Sequence, residues 1–183
     1  ERKDKLAPET VKHVLALLKR LHNFAMKKAL CPGISFTIEL PVVNNIKTED
    51  LSNEQLNRLM SVLNDHEQNP QITTLMRLAL LTGMRKGELI KLEWSDINYE
   101  KKFILIRDPK GKKDQRIPLN KAAKHLLNNH NIKTHTKCPA VFLNRKGTRL
   151  TDPRRQINRI KKLANLPENF RPLHGLRHVF ASM

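Results

Sequence analysis

Apolar side chains recur at helical spacing along most of the chain. Val11, Val14, Leu15, Leu18, Leu21 and Ala25 share one face of a helix predicted over residues 8 to 30. Pro8 suits its start and Cys31-Pro32-Gly33 its stop. Residues 31 to 50 break the pattern with Pro32, Gly33, Pro41 and Asn44-Asn45, and read as a linker with a short extended piece. The period resumes at Leu51, where Ser52 and Gln55 have the spacing of a capping box ahead of Leu56, Leu59, Met60 and Leu63. After the Asn69-Pro70 turn, Ile72, Leu75, Met76, Leu78, Ala79, Leu80 and Leu81 leave almost no polar face. That predicts a helix buried at the centre of the domain. Gly83 closes it, and a short helix begins within Met84-Arg85-Lys86-Gly87-Glu88-Leu89.

The pattern then changes. Phe103 to Arg107 and Gln115 to Leu119 read as strands around a basic hairpin tip, Asp108-Pro109-Lys110-Gly111-Lys112-Lys113-Asp114. A helix is expected over Lys121 to Asn129, and a short strand or extended piece at Val141-Phe142-Leu143. Thr151 or Asp152 is positioned to cap a helix running from near Pro153 to about Ala164, and Pro172 to open a last one. The expected fold is mainly α with a small antiparallel β-sheet, an α+β domain over residues 51–183. A linker at 34–50 and part of a separate helical domain at 1–33 precede it.

Charge changes the picture more than composition does. Thirty-five Lys and Arg face 17 Asp and Glu, a net charge of +18. Such an imbalance calls for a polyanionic partner, and double-stranded DNA is the first candidate. Arg145, Lys146, Arg149, Arg154, Arg155, Arg159, Lys161 and Lys162 cluster within residues 145 to 162 against one acid, Asp152. With one Trp and one Tyr there is little surface for stacking bases, which favours duplex backbone over single strands. No long apolar span suggests a membrane. Cys31 and Cys138 do not make a disulfide framework, and no apolar leader opens the sequence, so a cytoplasmic, nucleoid-associated protein is expected.

The candidate chemistry lies in His174-Gly175-Leu176-Arg177-His178. His174 and Arg177 are three apart and share a helix face. Arg85, Lys110, His174 and Arg177 together supply two guanidiniums to grip a phosphodiester and two groups able to donate a proton. Glu88, one turn after Arg85, can orient it or pair with a surface lysine. Lys112 and Lys113 are rivals of Lys110 within the hairpin and candidate DNA contacts with Arg145, Arg149, Arg154, Arg155 and Arg159. His178 is expected to pack beside the site as a supporting residue. His125, His130, His135 and Cys138 read as scattered loop residues, irregularly spaced for zinc, so no metal and no cofactor is expected.

Three stretches, in order, resemble the tyrosine recombinases of the phage integrase family. Leu81-Thr82-Gly83-Met84-Arg85-Lys86-Gly87-Glu88-Leu89, followed by Leu92-Glu93-Trp94-Ser95-Asp96-Ile97, is similar to the first arginine box. Lys110 to Leu119 resembles the lysine hairpin, and Leu173 to Ser182 the second box. The resemblance implies that Arg85 and Arg177 bind the scissile phosphate. It implies that Lys110 protonates the departing 5′-hydroxyl, that His174 assists, and that Glu88 supports the site. It implies site-specific recombination or integration through a 3′-phosphotyrosyl intermediate in a bacterial or phage-derived protein, with neither metal nor ATP. The segment 1–33 is similar to the end of a core-binding domain.

The family's nucleophilic tyrosine lies beyond its second box, and the single tyrosine here is Tyr99, expected to be structural. The sequence therefore reads as cut at both ends, a monomer in solution that binds DNA without cleaving it. The longer protein is expected to form a tetramer on DNA. A type IB topoisomerase-like nicking-closing enzyme and a non-catalytic DNA-binding module of the same fold are the alternatives.

Overall fold

A computed structural model describes residues 6–34, 36–43, 50–107, 113–133 and 138–182. The chain divides into two compact units, Glu1–Lys47 and Thr48–Met183.

The first unit is built on helix α1, Pro8–Lys27. It ends sooner than its apolar period suggested. Ala29 turns left-handed at φ 53°, while the Leu30 amide donates to the Ala25 carbonyl and the Ala29 amide to that of Met26. These are the paired bonds of a Schellman stop, made here without glycine and ahead of the Pro-Gly pair.

In the second unit, Ser52 and Gln55 cap α2 (Asn53–Asn64) reciprocally, Ser52 N–H to Gln55 Oε1 at 2.9 Å and Gln55 N–H to Ser52 Oγ at 3.2 Å. Helix α3, Pro70–Thr82, is the centre. Ile72, Leu75, Met76, Leu78 and Ala79 are fully buried, and α3 touches α2, α4 (Lys86–Lys91), α5 (Lys121–Lys133), α6 (Arg154–Leu163) and α7 (Pro172–Ser182). A helix apolar on every side can be wrapped by neighbours, as this one is.

A 3₁₀ turn at Trp94–Asp96 leads into an antiparallel sheet of β1 (Ile97–Asn98), β2 (Phe103–Ile106) and β3 (Gln115–Pro118), in that order. Ile104 faces Ile97 on one side and Ile117 on the other, and Ile104 and Ile106 point into the core. The alternation of β2 thus fixes which face of the hairpin is buried. Lys110 and Lys112 lie outside the described residues.

Three local expectations are corrected. Helix α5 runs past Asn129 to Lys133, so His130 is helical, not a loop residue, and His125 lies within the expected helix. His130 is buried, with Nε2 3.0 Å from the Val141 carbonyl oxygen and its ring near Trp94 and Phe142. Val141–Leu143 forms no strand with the sheet; isolated bridges Glu93–Ala140 and Leu143–Arg149 hold it, and its turn presents Arg145 and Lys146. Neither Thr151 nor Asp152 is the residue that starts α6. Pro153 takes that place, while Asp152 accepts from the Arg154 amide at 3.2 Å and pairs with its guanidinium.

Candidate phosphate-binding site

The site forms where α3 ends. Thr82 donates from Oγ1 to the Leu78 carbonyl at 2.6 Å, and Gly83 then reverses the chain at φ 63°. A Cβ at position 83 would overlap the Phe180 ring of α7, so glycine is required both by backbone angle and by space. This turn delivers Arg85 to the entrance of α4. Glu88, whose side chain is only 10% exposed, holds both ends of it: Oε2 accepts from the Arg85 amide at 2.7 Å and Oε1 from Nη1 at 2.8 Å. Glu88 therefore orients Arg85 and is not spent on a surface lysine. Half of the Arg85 side chain stays open to solvent.

Arg177 arrives from α7. The helix packs closely because Gly175 lies under Phe170, where any Cβ would collide with the ring. Arg177 Nη1 donates to the Gly83 carbonyl at 2.6 Å. Arg85, Glu88 and Arg177 line one cleft of about 240 Å³, with Gln115 and Ile117 of β3 and the Gly83 turn forming its other walls. Residues from four separate elements so converge on one cleft. Two forked cations facing one cavity can bind an oxyanion bidentately and stabilise extra negative charge on it.

His174 is exposed one turn before Arg177. His178 does not pack into the protein as expected; it is exposed, with Nε2 3.0 Å from His174 Nε2 and ring centroids 4.6 Å apart. Lys113 is exposed two residues before the return strand begins. Arg145, Arg155 and Arg159 are exposed. Arg149 is engaged within the fold. Its Nη1 donates to the Lys91 carbonyl at 2.7 Å, at the C-terminal end of α4, and its Nη2 meets Glu93 Oε1 at 2.5 Å. Arg154 is likewise engaged, by Asp152, whose carboxyl it holds down at about 2.

Arg107 was not singled out from sequence. Its Nε lies 2.5 Å from Asp96 Oδ1, a charge contact without the alignment of a hydrogen bond. Its Nη2 donates to Ser95 Oγ at 3.0 Å, and Nη1 is 3.7 Å from Glu93. Glu93, Asp96, Arg107 and Arg149 line a second cleft, of about 370 Å³, which shares Glu88 with the first. The available signal was Asp96 beside Trp94 in an apolar setting, where an acid needs a cation. Tyr99 is half-buried, its hydroxyl has no hydrogen-bond partner among the described residues, and burial raises its pKa. A phenol so placed is a poor source of phenolate. Among the described residues no group of three or more His, Cys, Asp and Glu is placed to hold a metal, and no helix is long and apolar enough to cross a membrane.

The family model described as the phage integrase family matches residues 49–183. The chain is 28% identical to tyrosine recombinase XerD of Oceanobacillus iheyensis, over 94% of this chain and 61% of that protein. It is 30% identical to prophage integrase IntF of Escherichia coli, over 79% of this chain and 31% of that protein. Among solved structures, XerH site-specific recombinase bound to its palindromic difH substrate superposes with a TM-score of 0.72 at 26% identity, over 97% of this chain and 56% of that one. The Tn1549 transposon integrase shares the fold, with a TM-score of 0.79 at 18% identity over 97% of this chain and 67% of that one. The chain thus spans about a third to three fifths of the curated relatives it matches.

Proposed function

The chain belongs to the phage integrase family, and from that premise we propose that it carries the phosphate-binding part of a site-specific DNA recombinase. Strands are broken and rejoined through a 3′-phosphotyrosyl link, which conserves the bond energy and needs neither metal nor ATP. Arg85 and Arg177 grip the scissile phosphate. Glu88 orients Arg85. Lys110 protonates the departing 5′-hydroxyl, and His174 assists proton transfer. The nucleophile comes from outside these 183 residues, since Tyr99, the only tyrosine among them, has a buried hydroxyl and a raised pKa. Residues 1–33 form part of a core-binding domain and 34–50 a linker, and the longer protein works as a tetramer on duplex DNA.

One observation carries this reading: Arg85 and Arg177, 92 positions apart in the sequence, line the same small cleft. A solvated charged helix face would not bring them together. A topoisomerase-like nicking-closing enzyme would use the same chemistry without a second strand, and a DNA-binding module would keep the charge without needing the cleft.

The test is a nicked duplex that traps covalent intermediates. The 183-residue chain is expected to retain duplex DNA in a gel shift and to give no detergent-resistant adduct. An adduct formed by this chain alone would overturn the assignment of the nucleophile. Failure to bind duplex at low salt would overturn the reading itself.

A further inference from the structure

Helix α4 brings Glu88 to Arg85, and it is only six residues long, Lys86–Lys91. At 1.5 Å per residue it measures about 9 Å from end to end. So short a helix is not held by its own backbone bonds, and its place is set by what grips its two ends. Glu88 closes the N-terminal end by accepting from the Arg85 amide. The C-terminal end presents carbonyls that no helical amide can reach. Arg149 reaches them: its Nη1 donates to the Lys91 carbonyl at 2.7 Å and to that of Ile90 at 3.5 Å. A cation there also meets the negative end of the helix dipole. Nη2 of the same guanidinium lies 2.5 Å from Glu93 Oε1, and the Glu93 amide donates to Asp96 Oδ2 at 3.0 Å. Arg149 is itself anchored outside α4, by its bridge to Leu143 and by the neighbouring Leu150 amide, which donates to the Phe142 carbonyl at 2.9 Å.

We propose that Arg149 is a positioning residue of the phosphate site, acting through Glu88. It fixes the last turn of α4, and so the place from which Glu88 holds the Arg85 guanidinium. This role rests on the reading that Arg85 grips the scissile phosphate. Glu88 is three residues from Lys91, less than one turn, so a shift of the last turn is carried directly to its carboxylate. The role needs arginine. The α4 carbonyls and Glu93 are met by different nitrogens of one planar fork, and an ammonium keeps the charge but not the fork.

Single-turnover cleavage at saturating duplex, by a longer form that includes the nucleophile and below the melting temperature of every variant, tests this. Arg149→Ala should slow cleavage about ten- to a hundredfold, since small misplacements cost that much. Duplex affinity and its salt dependence should stay as in the wild type. Arg149→Lys should fall between the two. In a Glu88→Gln background, which is itself slow, Arg149→Ala should cost less than about threefold more, because the two residues act in series. Arg58→Ala is the control for lost stability. Arg58 likewise donates to carbonyls at a helix end, those of Ala164 and Asn165 at 3.3 and 3.4 Å, and its removal should leave the rate unchanged.

Wild-type cleavage by Arg149→Ala, beside a crippled Arg85→Ala, would overturn the proposal alone. Wild-type cleavage by Arg85→Ala would overturn the phosphate reading and the proposal with it. Equal slowing by Arg149→Ala with and without Glu88→Gln would overturn the route through Glu88. A salt dependence weaker by one phosphate contact would make Arg149 a DNA ligand and also overturn it. Should Arg149→Ala not fold, Arg149→Lys decides: a wild-type rate overturns the proposal, and a slower one at unchanged affinity supports it.

Discussion

Arg177 donates to the carbonyl oxygen of Gly83 at 2.6 Å, and through that bond α7 is registered against the turn that presents Arg85. Phe180 closes the same contact from one turn further along α7, its ring lying where a side chain at 83 would be. The two arginines are therefore positioned by one glycine, and not independently.

Gly83→Ala should destabilise the protein by about 2–4 kcal/mol, from left-handed backbone strain and overpacking against Phe180. Urea denaturation measures it. Phe180→Ala in the same background should return the overpacking part and leave the backbone part. Equal stability of the two variants would mean that the ring contact has no energetic weight.

The two classes of arginine separate by experiment. Arg149→Ala removes bonds to the Lys91 carbonyl and to Glu93, and should cost about 1–3 kcal/mol of stability. Arg145→Ala, Arg155→Ala and Arg159→Ala should leave the melting temperature within a degree or two. Each should reduce the salt dependence of duplex binding by about one phosphate contact. Thermal melts and binding isotherms across a salt series check both halves.

The Asp152 carboxyl has a pKa of about 2, below its ordinary 3.8, held down first by the Arg154 guanidinium and then by the Arg154 amide. The sign follows from a depressed acid: the pair's contribution is complete above pH 4 and is lost as pH falls toward 2. Arg154→Ala should move the carboxyl signal in an NMR titration back toward 3.8. Freed by Asp152→Asn, Arg154 should steepen the salt dependence of DNA binding by up to one contact.

Tyr99→Phe should be neutral or slightly stabilising, because it deletes a buried hydroxyl that has no partner among the described residues. DNA binding should not change. Thermal melting alongside a gel shift tests this, and a loss above 1 kcal/mol would show that the hydroxyl is satisfied in solution.

Much of this was legible in the chain. The unbroken apolar run of Ile72 to Leu81 placed α3 at the centre, and Ser52 with Gln55 marked the start of α2. Arg85 and Arg177 stood out because their motifs are local. What was hidden depends on contacts between distant residues. The spacing of Arg149 and Arg154 shows charge but not that Glu93 and Asp152 neutralise it. Burial of His130 depends on the extra turn of α5, and no sequence period separates a frayed end from a continued helix. His174 and His178 had the four-residue spacing in plain view, but their ring contact appears only in three dimensions.

The most direct test of the account is strand cleavage by a longer form that includes the nucleophile, with Arg177→Lys in place of the wild type. That change keeps the charge and loses the planar fork that reaches the Gly83 carbonyl and, on the proposed reading, the phosphate with it. A loss of at least a hundredfold in single-turnover cleavage, with duplex affinity nearly unchanged, is the result expected. Unimpaired cleavage would contradict the phosphate-binding role assigned to Arg177.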